Sequence, residues 1–263
     1  MRSVVITGAY GGMGKAVTAL FAEHGYRVFA LDLHVDKPQD GIFPIQADIT
    51  DPKSIKAAFC RVREQTDRLY AVLHFAGVYM LDSLAEMNSA EFDRIWNINL
   101  RGAFLVNQTF LPLLEKGSRI LITTSELAPL DPLPFTGIYA VTKSALDKYA
   151  YSLRMELQLL GIDVSVLRAG AVQTDMLGVS TDALDRFCAK TALYSCNAAR
   201  FKNIVRRVEA RCVPPQKIAK KVARIIEKGR PSFAYSINRN PFLLMLDCLP
   251  KTVRFWLIRL LLR

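Results

Sequence analysis

Over its first 170 residues the chain alternates short apolar runs with longer segments of helical periodicity. Six runs predict strands: Ser3–Thr7, Arg27–Asp32, Ile42–Ala47, Ala71–Phe75, Arg119–Thr123 and Asp163–Leu167. Between them, the clearest predicted helices are Gly12–His24, Ile55–Glu64, Arg101–Leu114 and Tyr139–Leu160. This alternation is typical of βαβ units, and strands that are apolar throughout need helices on both faces of their sheet. The sequence therefore predicts an α/β fold with a single doubly wound parallel sheet.

After Gly170 the pattern changes. Residues 176–212 hold several weakly amphipathic stretches and no convincing strand, whereas Pro215–Lys228 predicts a helix and Ser232–Ser236 a short strand. No linker of low complexity and no internal repeat divides the 263 residues. We therefore expect one domain over residues 1–240, followed by a C-terminal extension over 241–263.

The positive charge is concentrated towards the C-terminus. The net charge is +11, but the segment from Arg200 to Arg263 holds 16 lysines and arginines against three acidic residues. The first 199 residues are close to neutral, with 19 basic and 21 acidic side chains. A uniformly basic chain would favour nucleic acid, whereas this asymmetry favours a local partner for the C-terminus. We expect no nucleic-acid ligand.

Cysteine usage and hydropathy indicate the compartment. The five cysteines are odd in number and have no Cys-x-x-Cys spacing, which favours reduced thiols over disulfides or a metal site. Strand-like sequence begins at Ser3, so we expect no signal peptide. The chain has no uncharged apolar run of about 18 residues, so we expect no membrane-spanning helix. These features predict a cytoplasmic protein without a metal.

A glycine-rich turn, TGAYGGMG at residues 7–14, links the first predicted strand to the first predicted helix. Glycines let the backbone turn tightly and approach a pyrophosphate, and the helix N-terminus supplies free N–H groups. Many strand-to-helix turns contain glycines, but this one has the required strand before it and helix after it. We predict a Rossmann-type dinucleotide site with contacts from Thr7, Gly8, Tyr10, Gly11, Gly12, Met13 and Gly14.

Asp32 ends the second strand, 18 residues past Gly14. An acidic side chain there can accept hydrogen bonds from the adenosine ribose and would repel a 2′-phosphate; the alternative is a capping or turn aspartate. Neither Arg nor Lys stands at positions 33 or 34, so we predict NAD(H) in preference to NADP(H), with Leu33 among the contacts. Asp48 and Ile49 are predicted to bind the adenine, although Asp48 alone is equally typical of a helix N-cap.

Tyr139 and Lys143 lie four residues apart, on one face of a predicted helix. A free phenol has a pKa near 10, and an adjacent ammonium group favours the phenolate. We therefore expect Lys143 to lower the pKa of Tyr139 and make it a general acid/base. An exposed Tyr–Lys pair is common on helices, so the functional interpretation of this pair depends on the residues around it.

Two further polar residues support the pair. Ser125 ends a strand 14 residues before Tyr139, where its hydroxyl could orient a substrate oxygen, with Thr124 as a rival and a strand-end cap as the alternative. Asn99 precedes a predicted helix, and its amide could hold a water that relays protons to Lys143 or could simply cap the helix. The set fits general acid/base chemistry at a substrate oxygen.

The ordered set Thr-Gly-x3-Gly-x-Gly, Asn, Ser and Tyr-x3-Lys resembles the short-chain dehydrogenase/reductase family over about residues 1–175. The resemblance implies direct hydride transfer with a nicotinamide dinucleotide. It assigns general acid/base catalysis to Tyr139, ribose binding to Lys143, substrate orientation to Ser125 and proton relay to Asn99. It adds cofactor contacts at Ala76, Gly77, Gly170, Val172 and Thr174, the last to the carboxamide. A homo-oligomer through the helices Arg101–Leu114 and Tyr139–Leu160 is also implied.

Two segments depart from the family's pattern. His74-Phe75-Ala76-Gly77 stands where the family usually has Asn-Asn-Ala-Gly, and Ala169-Gly170 replaces Pro-Gly. We interpret His74 as a structural substitute and expect an active enzyme, because neither change touches the reacting groups.

In this family the segment after the threonine usually forms a lid over the substrate, here about 176–212. Apolar residues there and after Ser125 suggest a lipophilic alcohol or ketone, such as a steroid or a long-chain carbonyl: Leu127, Leu130, Phe135, Met176, Leu177, Leu184, Phe187, Leu193, Tyr194 and Phe201. These residues could instead pack the lid onto the body. The alternative functions are a catalytically silent dinucleotide-binding scaffold or sensor, and an oxidoreductase for small polar carbonyl substrates.

The C-terminal segment Lys251–Arg263 predicts a basic amphipathic helix. One predicted face carries Val253, Trp256, Leu257, Leu260 and Leu261, and the other carries Lys251, Arg254, Arg259 and Arg263 together with Phe255, Ile258 and Leu262. Such a helix is typical of an interfacial anchor, which would place the protein peripherally on a membrane. The competing interpretation is an arm buried on a neighbouring subunit.

Overall fold

The computed structural model describes residues 1–208 and 212–263, including all their side chains except those of 175–182 and 206–208. Its centre is a sheet of seven parallel strands in the order β3-β2-β1-β4-β5-β6-β7. The strands are β1 Ser3–Thr7, β2 Arg27–Asp32, β3 Ile42–Gln46, β4 Leu69–His74, β5 Leu114–Thr123, β6 Asp163–Ala169 and β7 Ala234–Ile237. The prediction of a doubly wound parallel sheet is confirmed.

Helices cover both faces of the sheet. They are α1 Gly12–Glu23, α2 Pro52–Arg63, α3 Ser89–Trp96, α4 Gly102–Phe110, α5 Gly137–Leu157, α6 Asp175–Lys190, α7 Ser195–Val208, α8 Pro215–Glu227, α9 Pro241–Asp247 and α10 Lys251–Leu262. Neighbouring residues of β1 point to opposite faces, as in any strand. Val4 packs among the residues of α1 and α8, whereas Val5 packs among those of α2 and α4. Helix α5 covers β5 and β6 on the α4 side.

Most predicted elements agree with the structure to within a few residues, and the differences have local causes. The predicted helix Arg101–Leu114 is shorter, because a 3₁₀ turn at Leu111–Leu113 containing Pro112 follows α4 and β5 already begins at Leu114. Helix α3 was not predicted. It continues into a π-helical turn at Asn97–Arg101, which leads directly into α4. The predicted short strand Ser232–Ser236 is observed one to two residues later, as β7.

The C-terminal extension folds back as α9 and α10. The predicted helix is confirmed, but Arg254, expected among the charged residues on the side away from the apolar face, is buried. Phe255, predicted on the same side as Arg254, is 68% exposed. Val253, Trp256, Leu260 and Leu261 of the predicted apolar face are exposed, and Leu257 is partly buried. The reason is that acidic partners for Arg254 lie on the protein side of the helix. Among the described residues no helix has the length and hydropathy needed to cross a membrane.

Candidate active site

The predicted site residues lie at the carboxyl ends of the strands, on both sides of the point where the sheet order reverses. Strands β1 and β4 are neighbours, and the chain proceeds from them towards opposite edges of the sheet. Such a switch point opens a crevice at the carboxyl ends in doubly wound folds. Thr7 and His74, the last residues of these two strands, are paired across this point. The glycine turn follows β1, Ala76 and Gly77 follow β4, and Ser125 follows β5.

The glycine turn is packed so closely that side chains are excluded at three positions. Gly8 has a φ of +66°, and a Cβ there would lie 2.5 Å from the backbone nitrogen of Ala76. A Cβ on Gly14 would meet the carbonyl oxygen of Gly8, and one on Gly12 would meet the side chain of Thr174. The turn is thus pressed against the exits of β4 and β6. This brings together three segments that the sequence predicted as cofactor contacts.

The first turn of α1 presents its amide groups to the crevice. Gly11 is the N-cap, and it has no side chain with which to satisfy these amides. Acidic residues are also absent from the first turn. Close backbone approach and uncapped amides at a helix N-terminus are what a pyrophosphate requires. This end of the site fits a dinucleotide.

Asp32 has a role that the sequence did not reveal. Its Oδ2 accepts the backbone N–H of Tyr10 at 2.9 Å, and its Oδ1 accepts that of Leu33 at 2.8 Å. The carboxylate therefore ties the end of β2 to the glycine turn. Each carboxylate oxygen can accept a further hydrogen bond, so Asp32 remains suited to a ribose hydroxyl.

Asp48 stabilises a turn and is not the N-cap of α2. Its Oδ1 accepts hydrogen bonds from the backbone N–H and the hydroxyl of Thr50, at 2.8 and 2.7 Å. The N-cap is Asp51, whose side chain accepts the amides of Lys53 and Ser54. Ile49 contacts the start of α4, since a Cβ on Gly102 would lie 2.6 Å from its Cδ1. The predicted adenine contact of Asp48 and Ile49 stays a prediction.

Tyr139 and Lys143 lie one turn apart near the start of α5, beside the end of β5. The phenol of Tyr139 is hydrogen-bonded to the side chain of Ser125. The ammonium group of Lys143 is buried, donates to the carbonyl oxygen of Thr123 at 3.3 Å and lies 5.8 Å from the centroid of the Tyr139 ring. The structure therefore brings together the three residues predicted for proton transfer and substrate orientation.

The expected lowering of the Tyr139 pKa is wrong for the protein in this state. Burial of the phenol raises its pKa to about 12, the hydrogen bond from Ser125 acts in the opposite direction, and the negative charge of Glu126 raises it further. Burial also lowers the pKa of Lys143 to about 8. Desolvation disfavours the charged form of both groups. The ammonium is directed at the Thr123 carbonyl and the face of the ring, so it does not offset the burial of the hydroxyl.

Asn99 lies in the π-helical turn and braces the exit of β4. Its Oδ1 accepts the backbone N–H of Val78 at 2.8 Å, and its Nδ2 donates to the Val78 carbonyl and to Thr142 Oγ1, at 3.0 and 3.1 Å. A Cβ on Gly77 would lie 3.3 Å both from Asn99 Oδ1 and from the Nζ of Lys143. The bare backbone of Gly77 therefore lies between these two polar groups. The proposed proton relay stays a prediction.

Thr124, the rival of Ser125, points elsewhere. Its hydroxyl donates to Asp147 Oδ1 at 3.2 Å, and Asp147 forms a two-pronged ion pair with Arg168. This pair joins α5 to β6 behind the site. Of the two hydroxyls, only that of Ser125 contacts Tyr139.

His74 has the structural position that was inferred for it. Its Nε2 is 2.8 Å from the Oδ1 of Asn107, whose Nδ2 donates to the hydroxyl of Tyr149 at 3.1 Å. Burial lowers the pKa of His74 to about 4, so the ring is neutral near pH 7. The ring therefore joins β4 to α4 and α5.

The far side of the site holds Gly170, Val172 and Thr174. Gly170 lies against the backbone of Asn238, and Val172 pairs with Val213 in an isolated bridge. Thr174 is the residue before α6 and touches Gly12, as described above. Of the three, Thr174 is the residue with a direct contact to the glycine turn.

Glu126 was missed by the sequence analysis. Its Oε2 accepts the backbone N–H of Asn240 at 2.6 Å, and burial raises the pKa of its carboxyl group. The only signal was an acidic residue directly after Ser125. Glu126 therefore connects the segment next to Ser125 with the residues before α9.

The lid residues divide into two groups. Leu184, Phe187 and Phe201 are buried in a cluster with Leu81 and Phe135, so for them the structure supports packing of the lid onto the body. Leu193 is 67% exposed. The side chains of Met176 and Leu177 and residues 209–211 of the predicted lid lie outside the described part of the chain. One aromatic contact of Tyr139 was not predicted: Tyr79 packs edge-on against it, with 4.7 Å between ring centroids.

Residues 2–185 match a family model described as short chain dehydrogenase. Estradiol 17-beta-dehydrogenase 2 of Mus musculus is 31% identical over 197 residues, which are 70% of this chain and 51% of that protein. The chain thus spans about half the length of this relative. Oxidoreductase UcpA of Escherichia coli K12 is 31% identical over 186 residues, 66% of this chain and 71% of that protein.

Two solved structures share the fold. A dehydrogenase/reductase from Sinorhizobium meliloti 1021 superposes with a TM-score of 0.73 at 24% identity, covering 91% of this chain and 94% of its own. Aldohexose dehydrogenase from Thermoplasma acidophilum gives a TM-score of 0.76 at 18% identity, with coverages of 95% and 96%.

Proposed function

Since the chain belongs to the short-chain dehydrogenase family, whose members are oxidoreductases that bind a nicotinamide dinucleotide, we propose that it transfers a hydride between NAD(H) and a secondary alcohol or ketone. The observation that carries the proposal is the hydrogen-bonded pair of Ser125 and Tyr139, with Lys143 one helical turn away. This pair lies beside the crevice into which the glycine turn opens.

Buried polar groups around the crevice fit a dinucleotide. The hydroxyls of Thr7, Tyr10 and Thr123 are buried and have no hydrogen-bond partner within the described residues. Burying such groups without a partner is costly, so they are suited to a polar ligand. When bound, the nicotinamide supplies the carbon that accepts or donates the hydride.

The protein's own residues handle the proton. With a pKa of about 12, Tyr139 carries its proton near pH 7 and can donate it to the oxygen of a ketone as that oxygen becomes an alcohol. In the opposite direction Tyr139 must act as a base, and the hydrogen bond from Ser125, which lowers its pKa, favours the phenolate it needs. Ser125 orients the substrate oxygen beside the phenol, and Asn99 is proposed to hold the water that returns the proton.

We propose NAD(H) as the preferred cofactor because Asp32 is fixed at the end of β2. Its two hydrogen bonds to Tyr10 and Leu33 hold a negative charge where the adenosine ribose would lie. A 2′-phosphate would be repelled there. The KM values for NAD⁺ and NADP⁺ test this preference directly.

We propose a lipophilic substrate. Tyr79 and the apolar cluster around Phe135 lie on the substrate side of Tyr139. Two relatives are named after estradiol and versicolorin: estradiol 17-beta-dehydrogenase 2 and the versicolorin reductase of Emericella nidulans, the latter 28% identical over 193 residues. A small polar carbonyl substrate remains the second candidate.

We propose a homo-oligomer formed through α4 and α5. These two helices expose large apolar side chains on the surface away from the sheet, namely Phe104, Val141, Tyr151 and Met155. Exposed apolar patches on a helix pair favour contact with a second subunit. Light scattering of the purified protein would test this.

We propose peripheral contact with an anionic lipid surface through the C-terminal extension. Its outward side exposes Phe242 and Met245 of α9 and Phe255 and Trp256 of α10, the last being 63% exposed. Lys251 and Arg259 lie beside these residues on the exposed surface of α10. Aromatic and aliphatic side chains bordered by cations are suited to the headgroup region.

Flotation with vesicles tests this contact. The wild type should float with phosphatidylcholine vesicles that contain phosphatidylglycerol, and the double variant Phe255→Ser/Trp256→Ser should stay behind. Phe43→Ser, which removes an exposed phenylalanine from β3, is the control and should float like the wild type. The proposal is overturned if the wild type does not float with the vesicles. It is also overturned if this face is buried in a dimer that dissociates in the double variant, which would favour the subunit arm.

A panel of secondary alcohols tests the central proposal. Wild-type protein with NAD⁺ should form NADH, and Tyr139→Phe should lower kcat by about 10²- to 10⁴-fold, the usual contribution of a general acid/base. Tyr151→Phe, a change on the exposed side of α5, should leave kcat unchanged. NADH binding without turnover by the wild type would instead favour the silent scaffold.

A further inference from the structure

Arg254 is buried in a helix whose other cations face solvent. It is 6% exposed, whereas Lys251 and Arg259 of α10 are exposed. Its guanidinium group donates to Asp131 Oδ2 at 2.8 Å and to Asp247 Oδ1 at 3.0 Å. It also donates to two backbone carbonyl groups at the end of α9. The proposed chemistry does not use this residue.

One partner of Arg254 lies in the segment that connects the reacting residues. Residues 126–135, here called the substrate loop, run from Ser125 to the start of α5. Asp131 is in the middle of this loop, and its backbone N–H donates to Asp247 Oδ1 at 3.3 Å. Arg254 therefore lies between the substrate loop and the end of α9 and forms hydrogen bonds to both.

The substrate loop touches the extension along its length. At its start, Glu126 accepts the amide of Asn240 at 2.6 Å. In its middle, leucines of the loop face leucines of α9 across a narrow groove lined by Leu127, Leu130, Leu133, Leu243 and Leu246. At its end, Phe135 shares a cluster with Leu262 of α10.

The ion cluster is a costly means of attachment. The buried guanidinium group loses hydration, although the side chains of Asp131 and Asp247 stay 49% and 31% exposed. Apolar residues of similar size often stabilise such a contact equally well. What a guanidinium group adds is direction, because its donors form a rigid planar fork. Four hydrogen bonds from one side chain therefore fix both the position and the orientation of the loop relative to the extension.

We propose that Arg254 is a positioning residue that sets the width of the substrate cleft by fixing the substrate loop against the C-terminal extension. The inference rests on the proposed oxidoreductase function for its kinetic consequence only. Because Arg254 acts through Asp131, it affects the position of a bulky substrate. It leaves the glycine turn, Asp32 and the exit of β4, where the cofactor would bind, unchanged.

Arg254→Met tests the proposal, with Arg224→Met as the matched control. Arg224 lies on α8, is exposed, and loses the same charge and the same groups in this change. Arg254→Met should raise the KM for a large lipophilic alcohol about 10-fold, because small displacements of a positioned substrate are costly. The KM for a small alcohol such as 2-butanol, and the Kd of NADH measured by fluorescence, should each change less than about twofold, as for a surface substitution. In Arg254→Lys the KM for the large alcohol should lie between those of the wild type and Arg254→Met, since an ammonium group cannot reproduce the planar fork.

Hydrogen exchange of the ligand-free protein gives a readout that does not depend on activity. Amides of residues 126–135 should exchange faster in Arg254→Met than in the wild type and in Arg224→Met. If exchange rises and no alcohol is oxidised by any form, the proposed function fails while the loop contact stands. The proposal is overturned if the exchange rates are unchanged. It is also overturned if the KM values for both alcohols and the Kd of NADH all rise by the same factor. If Arg254→Met does not fold, Asp131→Asn, which weakens only the loop side of the cluster, should give the same pattern on a smaller scale.

Discussion

The two halves of the candidate site are built on different principles. The cofactor half consists of the glycine turn, Asp32 and the exit of β4, and its backbone segments approach so closely that Gly8 and Gly14 admit no side chain. The substrate half consists of the substrate loop, α6, α7 and the C-terminal extension. It is held by apolar clusters and by the Arg254 ion cluster. Backbone crowding leaves few permitted residues, whereas apolar packing accepts many. The first half is therefore specified residue by residue, and the second mainly by volume and charge.

The largest effect is expected where the backbone is crowded. Gly14→Ala would press a methyl group onto the carbonyl of Gly8 and displace the glycine turn. The affinity for NADH, measured by fluorescence titration, should fall at least about 100-fold, because the uncapped amides of α1 would no longer meet the pyrophosphate. Gly229→Ala is the control, since a Cβ there has open space and should change nothing. Normal NADH affinity in Gly14→Ala would remove the contrast between the halves.

The sheet beneath the cofactor half should respond to pH through His74. Its pKa is lowered to about 4 in the folded protein, so between pH 6.5 and 4 the unfolded chain binds the proton more readily. Stability should therefore be lost as the pH falls through this range, by about 3 kcal/mol from this group alone. His74→Asn removes the titration. Its free energy of unfolding in urea should fall less than that of the wild type between pH 7 and pH 4.5, and parallel curves would contradict the prediction.

A smaller effect is expected from the charge that selects the cofactor. Asp32→Asn keeps the size of the side chain and part of its bonding to the glycine turn but removes the negative charge. The ratio of kcat/KM for NAD⁺ to that for NADP⁺ should fall about 10-fold, one charge-assisted contact being worth roughly this much. Asp36→Asn, beyond the end of β2, is the comparison variant and should leave the ratio unchanged. An unchanged ratio in Asp32→Asn would show that selection lies elsewhere.

The smallest effect is expected in the lid, at a residue that the sequence analysis placed on the substrate wall. Leu193 is 67% exposed, so Leu193→Ser should change both the melting temperature and the KM for a lipophilic alcohol very little, the KM by less than about twofold. A large rise in KM would mean that the lid closes over Leu193 when substrate is bound. That result would show that individual residues are as critical in the substrate half as they are in the cofactor half.

The sequence predicted the parts of the molecule whose signals are local. Strands β1 and β2 were predicted to the residue because each is one apolar run bounded by turn residues. The glycine turn and the Tyr139–Lys143 pair were visible because spacing alone defines them.

What the sequence did not reveal depends on distant partners. The buried position of Arg254 follows from Asp131, which lies 123 residues earlier in the chain. Glu126 gains its partner from Asn240, 114 residues later. The direction of the Tyr139 pKa shift was predicted wrongly because burial, which the sequence does not display, raises this pKa more than the hydrogen bond from Ser125 lowers it. Periodicity placed Arg254 correctly on its helix face but could not say which face meets the protein.

The π-helical turn at Asn97–Arg101 amounts to one extra residue inserted between α3 and α4. Removing a single residue there would let the two helices join as one regular α-helix. Because the wide turn absorbs the rotation of about 100° that one extra α-helical residue would add, α3 and α4 would keep nearly the same relative orientation after the deletion. The residues inside the turn would move instead, and the carboxamide of Asn99 would lose its hydrogen bonds with the backbone of Val78. The chain has thus kept an irregular helix where a regular one would be the simpler path, and the orientation of one amide is what the irregularity secures.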